Sequence, residues 1–291
     1  MCASRFNLRH ISAIAAVGWG IAALPAGASL LFADNFTGTD PTNNAAHDPN
    51  FNLAGRQSGS LATLPYTTNA GNVQVGNDVT LRTPPGPVDG DYLLTAFNGK
   101  ISPNQNFNGA LSQGGLQVTF KVSPEVTVNS TNWSEINLGA AAADRLAGVN
   151  QGVNHLGILF RANGGLQAFD GGTNVAPGGE GSYGPTNLGG NQNAFYAIRI
   201  TMTDPTDGNP FNGVGQTDVN VYSQFVNSGT TPVFTFSKGG GGYTDNYLTF
   251  SSINIGGFDD LAVTQGVPEP TSLGVCLMGG LAILSRRGKR G

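Results

Sequence analysis

Gly115-Leu116-Gln117-Val118-Thr119-Phe120-Lys121-Val122 alternates without a break, with Leu116, Val118, Phe120 and Val122 on one side of an extended chain and Gln117, Thr119 and Lys121 on the other. That period of two belongs to a strand with one buried and one wet face. Phe195 to Met202 repeats it, setting Tyr196, Ile198, Ile200 and Met202 against Ala197, Arg199 and Thr201. Working outward, shorter strands are expected at Leu30 to Phe36, Asp78 to Thr83, Tyr92 to Phe97, Glu135 to Leu138, His155 to Arg161 and Leu166 to Asp170. Val219 to Phe225, Pro232 to Phe236, Leu248 to Ile255 and Phe258 to Val263 continue the series.

The connections carry turn chemistry. Pro84-Pro85-Gly86-Pro87 cannot lie inside a strand, and Asn163-Gly164-Gly165 supplies residues that accept positive φ, which predicts a hairpin between its flanking strands. Thr37 to Tyr66 reads as a long irregular excursion and Gly171 to Asn193 as a glycine-rich loop. Ala140 to Ala147 is the one good helical stretch, one or two turns long. With 44 Gly, 16 Pro and 11% charged residues, long helices are disfavoured. Many strands without a long helix make an all-β sandwich or barrel.

Both ends read as targeting segments. Arg5 and Arg9, the apolar run Ile11 to Leu24 and Ala26-Gly27-Ala28 have the order of an export signal, so residues 1–28 are expected as a signal peptide with a helical apolar core. Residues 266–291 hold Pro268-Glu269-Pro270, an apolar run from Leu273 to Leu284, and the cations Arg286, Arg287, Lys289 and Arg290. A dozen apolar residues fall short of the roughly 20 that span a bilayer, but cations directly after them hold such an end on the cytoplasmic side. An ordinary C-terminal anchor fits this pattern. The three parts in this order also resemble the PEP-CTERM sorting signal, which implies a Gram-negative bacterium, a short transmembrane helix and processing by an exosortase.

The body between, residues 29–265, is expected to be one domain. Cys2 and Cys276 lie in the two end segments, so the body has no cysteine and must be held by its core. Six of the 14 Lys+Arg also lie in those segments and only Glu269 of the 18 Asp+Glu does, which leaves 8 cations, 17 acids and a body near −9. Such a balance has no footprint for nucleic acid, whose binding depends on neutralising phosphates.

Four segments of the body carry a second resemblance. Asp34-Asn35-Phe36, Gly55-Arg56-Gln57-Ser58-Gly59 before Tyr66, Gly157-Ile158-Leu159-Phe160-Arg161 and Phe258-Asp259-Asp260-Leu261-Ala262-Val263 look like the concanavalin A-like lectin/glucanase (LamG-like) jelly roll. The resemblance implies two antiparallel sheets with the first and last strands side by side. It also implies a structural calcium near those strands, with Asp34 and Asp259 as carboxylate ligands; strand-end aspartates bonded to local backbone are the plainer reading.

Catalytic chemistry finds little support. Glycoside hydrolysis usually needs two carboxylates about 5 to 9.5 Å apart, and laminarinase-like members of this fold carry them as Glu-x-Asp-x-x-Glu. Glu135-Ile136-Asn137-Leu138-Gly139-Ala140 keeps the first Glu alone, so Glu135 reads as an exposed strand residue. His47 and His155 are far from any zinc spacing and read as surface or turn residues. Gly179-Glu180-Gly181-Ser182-Tyr183-Gly184 matches G-x-G-x-x-G, but Pro185 follows where a phosphate-binding helix must begin. Asp204-Pro205-Thr206-Asp207-Gly208-Asn209 is either a calcium loop or a turn. For a carbohydrate ligand, Trp133, Tyr183 and Tyr243 lie in loop-rich stretches and are candidates to stack on sugar rings; each also suits a place capping the core. The expectation is therefore an exported, non-catalytic surface or matrix protein with polysaccharide as its ligand. A divergent glycan hydrolase or lyase and a purely structural component stand as alternatives.

Overall fold

A computed structural model describes residues 29–34, 36, 66–69, 73–76, 92–96, 98–108, 115–124, 132–175, 181–184, 195–253 and 255–266. The expected signal peptide and the tail with Pro268, Glu269, Pro270, Arg286 and Arg287 lie outside these residues, as do His47 and the strand expected at Asp78 to Thr83. No helix among the described residues is long and apolar enough to cross a membrane.

In chain order the strands are β1 (Ser29–Asp34), β2 (Tyr66–Thr68), β3 (Val73–Gly76), β4 (Tyr92–Ala96), β5 (Lys100–Pro103), β6 (Leu116–Ser123), β7 (Trp133–Ala140) and β8 (Leu156–Arg161). They continue as β9 (Gly165–Asp170), β10 (Thr173–Asn174), β11 (Gly181–Ser182), β12 (Tyr196–Thr203), β13 (Thr217–Ser223), β14 (Phe234–Lys238), β15 (Tyr247–Ser252) and β16 (Ile255–Gln265). Among the described residues they form two antiparallel sheets. One has the order β14-β13-β12-β6-β16-β4-β3, with β1 also on β16; the other has the order β10-β9-β8-β7-β15-β5-β2, with β11 also on β9.

The alternation that opens the sequence reading is the alternation of burial. Leu116, Val118, Phe120 and Val122 are buried, while Gln117, Thr119 and Lys121 are half-buried on the opposite face. Phe120 sits where the sheets meet: its ring lies edge-on to Phe160 of β8 at 5.8 Å and to Phe250 of β15 at 6.0 Å, and tilted against Phe258 of its own sheet at 6.2 Å. Apolar side chains from both sheets close one core around it, each worth about 1.5–3 kcal/mol of burial. The result is an all-β sandwich of two antiparallel sheets.

The first and last strands are neighbours, as expected. β16 pairs with β6 along one edge, and β4 and β1 share the other, β4 against Ile255 to Phe258 and β1 against Leu261 to Gln265. Between Asp259 and Ala262 the ladder with β6 slips, and Asp260 takes φ 49°. Such a bulge re-phases the strand. Phe258 and Leu261, three apart and so on opposite faces of a regular strand, both reach the core.

The Asn163-Gly164-Gly165 hairpin forms: Gly164 adopts φ 84°, and the Gly165 N–H donates to Asn163 Oδ1 at 3.0 Å. Other expectations change. Ala140 to Ala147 holds only a 3-10 turn at Ala142–Asp144, because Ala141 offers no side chain to cap a helix. The glycine-rich loop after Gly171 contributes β10 and β11 to the edge strand β9, and Tyr66 opens a strand instead of ending an irregular stretch. An ion pair ties the far edges of the two sheets: Lys238 of β14 donates to both oxygens of Asp170 on β9, at 2.8 and 2.9 Å.

Candidate functional site

The side chains of β7 divide between two environments. Ile136 and Leu138 enter the core, so Trp133, Glu135 and Asn137 stand on the outer face of the second sheet. Register decides their companions. Glu135 lies opposite Leu159 of β8 and Ser251 of β15, Trp133 opposite Arg161, and Asn137 opposite Gly157 and Thr249.

This outer face is not open to water along its length. The connection from β7 to β8 folds back over it and is held by its own carbonyls. Asn137 Nδ2 donates to Ala147 O at 2.9 Å, Lys100 Nζ to Leu146 O at 3.1 Å, and the Thr249 hydroxyl to Arg145 O. Val149 packs directly above Gly157, where a Cβ would come within 2.3 Å of Val149 Cγ2. Residues 145–151 thus make a roof.

Beside the roof lies a pocket of about 490 Å³. Lys100, Trp133, Leu159, Arg161 and Phe169 line it, with Asn98, Asn150 and Gln151 at the same recess. Trp133, Lys100, Arg161 and Phe169 are each half-buried, so their surfaces remain accessible. Arg161 is steadied by Gln167, to which its Nη2 donates.

Glu135 lies in the floor beneath them, where the sequence suggested an exposed strand residue. Its side chain has no solvent exposure. Oε1 accepts from Asn137 Nδ2 at 2.5 Å, and Oε2 has no hydrogen-bond partner among the described residues. Burial is the main cause that raises its carboxyl from 4.5 to about 7; Asn137, the Lys100 charge, Ser251 and the Val149 backbone oppose it. Among the described residues lining the pocket, Glu135 is the one carboxylate.

Of the three aromatic candidates, Trp133 alone faces the pocket. Tyr183 is fully buried, edge-on to Phe160 at 5.1 Å and to Tyr196 at 5.8 Å, with its hydroxyl donating to Arg161 O at 2.7 Å. Tyr243 is also fully buried, donating to Asp170 Oδ1 at 3.0 Å beneath the Lys238 ammonium. Neither presents a ring face to a sugar, because both were drawn from glycine-rich sequence that folds inward to cap the core.

The expected calcium ligands are engaged elsewhere. Asp34 accepts from the Phe36 N–H at 2.7 Å and the Tyr66 hydroxyl at 3.1 Å, and pairs in register with Leu261, not Asp259. Asp259 and Asp260 share the ammonium of Lys121, at 3.7 and 2.5 Å. Calcium wants six to eight oxygens; beside Asp259 the Lys121 ammonium already stands where such a cation would bind. No group of three His, Cys, Asp or Glu residues is placed to hold a metal among the described residues. Asp204 and Asp207 accept from the backbone N–H groups two residues on, at 2.6 and 2.9 Å, so their segment is a turn. His155, expected at the surface or in a turn, lies in the connection just before β8 and is buried, with neither ring nitrogen hydrogen-bonded among the described residues.

No family model and no curated relative matches the chain. Among solved structures it is similar to the metal-free carbohydrate recognition domain of Emp46p, at 12% identity and TM-score 0.41, covering 70% of this chain and 89% of that one. It is similar to a Bacillus subtilis protein of unknown function with a galectin-like fold, at 14% identity and TM-score 0.41 over 70% and 90% of the two chains. A carbohydrate esterase from a Shiga toxin-encoding bacteriophage matches at 13% identity and TM-score 0.43 over 82% and 99%. At these values the likenesses carry no functional argument, and the fold rests on the strand pairing itself.

Proposed function

We propose that the chain is an exported cell-surface or extracellular-matrix protein that binds polysaccharide without hydrolysing it. The pocket beside Trp133 carries this reading. An accessible indole, a second aromatic ring from Phe169 and surrounding amide and cationic groups are the materials of a sugar site, where ring faces stack and polar groups fix orientation. The non-catalytic reading is supported by Glu135: among the described residues lining the pocket it stands without a second carboxylate, and it has no exposed surface from which to reach a glycosidic oxygen.

Calorimetric titration with a panel of oligosaccharides tests the reading. At least one class is expected to bind, and Trp133→Ala to abolish binding. The second reading, a divergent glycan hydrolase or lyase, draws on the raised carboxyl of Glu135, which suits a general acid near neutrality. Release of reducing ends or unsaturated products from the same panel, lost in Glu135→Gln, would establish it in place of the first.

The route belongs to the same proposal. The leader at residues 1–28 and the tail with Pro268, Glu269, Pro270, Arg286 and Arg287 support export across the inner membrane of a Gram-negative bacterium, transient anchoring by the tail, and release by an exosortase-type protease. Removing residues 267–291 is expected to send the protein into the medium or periplasm without an anchored intermediate. An unchanged membrane fraction would count against this route.

A further inference from the structure

We propose that the glycan site continues beneath the roof: Asn137, Gly157 and Phe169, side by side on β7, β8 and β9, form a second subsite for a neutral hexose, and Val149 is the plug that closes it. This rests on the glycan-binding reading above and adds where a further sugar goes and of what class it is.

The three positions are consecutive across the sheet. Gly157 pairs with Asn137 on one side and with Phe169 on the other. They alternate along their strands with the core residues Ile136, Leu138, Ile158 and Ala168, so all three face outward. At the usual strand spacing Asn137 and Phe169 stand roughly 10 Å apart, with only glycine backbone between them. A bare floor bounded by an amide and an aromatic ring is the composition of a sugar subsite. Val149 fills this gap: its Cγ2 lies 2.3 Å from the place of a Gly157 Cβ, and Asn137 Oδ1 lies 2.7 Å from the same place.

The plug does not match the floor. Asn137 Nδ2 donates to Ala147 O and to Glu135 Oε1, and a carbonyl can only accept, so the orientation of the amide is fixed with Oδ1 over Gly157. Among the described residues Oδ1 has no hydrogen-bond partner, and neither has Glu135 Oε2 in the floor or Arg145 Nε in the roof. A valine methyl offers these acceptors nothing. Each buried polar atom left unsatisfied raises the free energy of the closed form, whereas a sugar hydroxyl would donate to Oδ1. Glu135 disfavours an acidic sugar there, and Lys100 in the same recess disfavours an amino sugar.

The roof is also lightly held. No residue from 145 to 151 belongs to a strand. Its backbone N–H bonds are local, from Ala147 to Asp144 O and from Gln151 to Gly148 O, and Ala147 and Val149 are its only buried apolar residues. Local bonds and few apolar contacts put a segment at the low-stability end of a fold. When the roof lifts, a hexose takes the place of Val149 over Gly157. Asn137 is four residues along β7 from Trp133, roughly 13 Å, so an oligosaccharide reaches both subsites and a monosaccharide does not.

The test uses the purified full-length chain, titrated calorimetrically with cellotetraose, laminaritetraose, mannotetraose and a galacturonate tetramer. One of the three neutral tetraoses is expected to bind tightest. Val149→Ala should lower the melting temperature yet raise the affinity for that tetraose by about three- to tenfold, because a binding-competent form that is scarce in the wild type becomes less scarce. Val149→Thr supplies Asn137 Oδ1 with a donor in the closed form, so it should hold the melting temperature and lower the affinity by a similar factor. Amide hydrogen exchange at residues 145–151 should be faster than global unfolding allows, and faster again with the tetraose bound. Affinity that falls in step with stability in Val149→Ala, or a roof protected by the ligand, would overturn the second subsite and leave the pocket at Trp133 intact. Tightest binding by the galacturonate tetramer would overturn the neutral class. Binding by none of the four would remove this proposal, and a blank wider panel would remove the glycan-binding reading with it.

Discussion

Replacing Gly157 by alanine should damage the pocket from below. The position lies opposite Asn137 in the β7–β8 ladder. A Cβ built there would stand 2.3 Å from Val149 Cγ2, 2.7 Å from Asn137 Oδ1 and 3.0 Å from Val149 Cα. Gly157 does not take a positive φ, so alanine meets no backbone strain and the whole penalty is steric. Either the roof must lift or Asn137 must turn, and Asn137 is the residue that bonds both Ala147 O and Glu135 Oε1. Overpacking of a closed site typically costs about 1–3 kcal/mol. In a sandwich of this size that is a fall of roughly 2–4 °C in melting temperature for each kcal/mol. Gly152→Ala is the matched control: the same chemistry in the same connection, with no heavy atom within 4 Å of the new methyl, and an expected change inside about 0.5 kcal/mol. Differential scanning calorimetry of the two variants beside the wild type decides the matter. Gly157→Ala should also weaken oligosaccharide binding, because the roof forms one wall of the recess. Equal stability and equal affinity for the two variants would refute the account of the roof as tightly seated on the sheet.

Three further outcomes can be measured on the same protein. Because burial raises Glu135 from 4.5 to about 7, the folded chain keeps a proton that the unfolded chain has released between those values; stability should decline by about 3 kcal/mol as the pH rises through that window, and urea midpoints of Glu135→Gln should show a flatter profile. His155 has the opposite sign: burial lowers its pKa below 6.5, so the unfolded chain takes the proton first and stability is lost as the pH falls beneath 6.5; His155→Gln should move acid unfolding to lower pH, and an unmoved midpoint would contradict the burial of the ring. Millimolar calcium should leave the melting temperature unchanged, since Asp34 is occupied by Phe36 and Tyr66 and Asp259 by Lys121; a rise of several degrees would mean oxygens gathered elsewhere.

The sandwich was legible where its cause is local. Period-two alternation placed β6 and β12 within a residue of their ends, Asn163 and two glycines placed a hairpin, and the side-by-side first and last strands agreed with the resemblance of their residues. Short strands such as β2 and β5 were missed because three or four residues carry no period, and pairing with β15 is what makes β5 extended. The site was half legible. Glu135 and Asn137 two apart did put both on one face, but a polar face reads as a wet one until something covers it. That cover is the β7–β8 connection, and its seat depends on Gly157, which no local pattern marks. Tyr183 and Tyr243 failed for the complementary reason: glycine-rich surroundings say that a residue is in a loop, not which way the loop turns.

The placement of β16 has a mechanical consequence. The chain that continues beyond Gly266 leaves directly from this strand, which is bonded to β6 on one side and to β4 and β1 on the other along most of its length. A tension applied at Gly266 along the strand axis loads both ladders in shear, so that many backbone hydrogen bonds resist together and do not open one after another. Pulled in that direction, the strand cannot leave the sandwich without breaking its pairing with three neighbours.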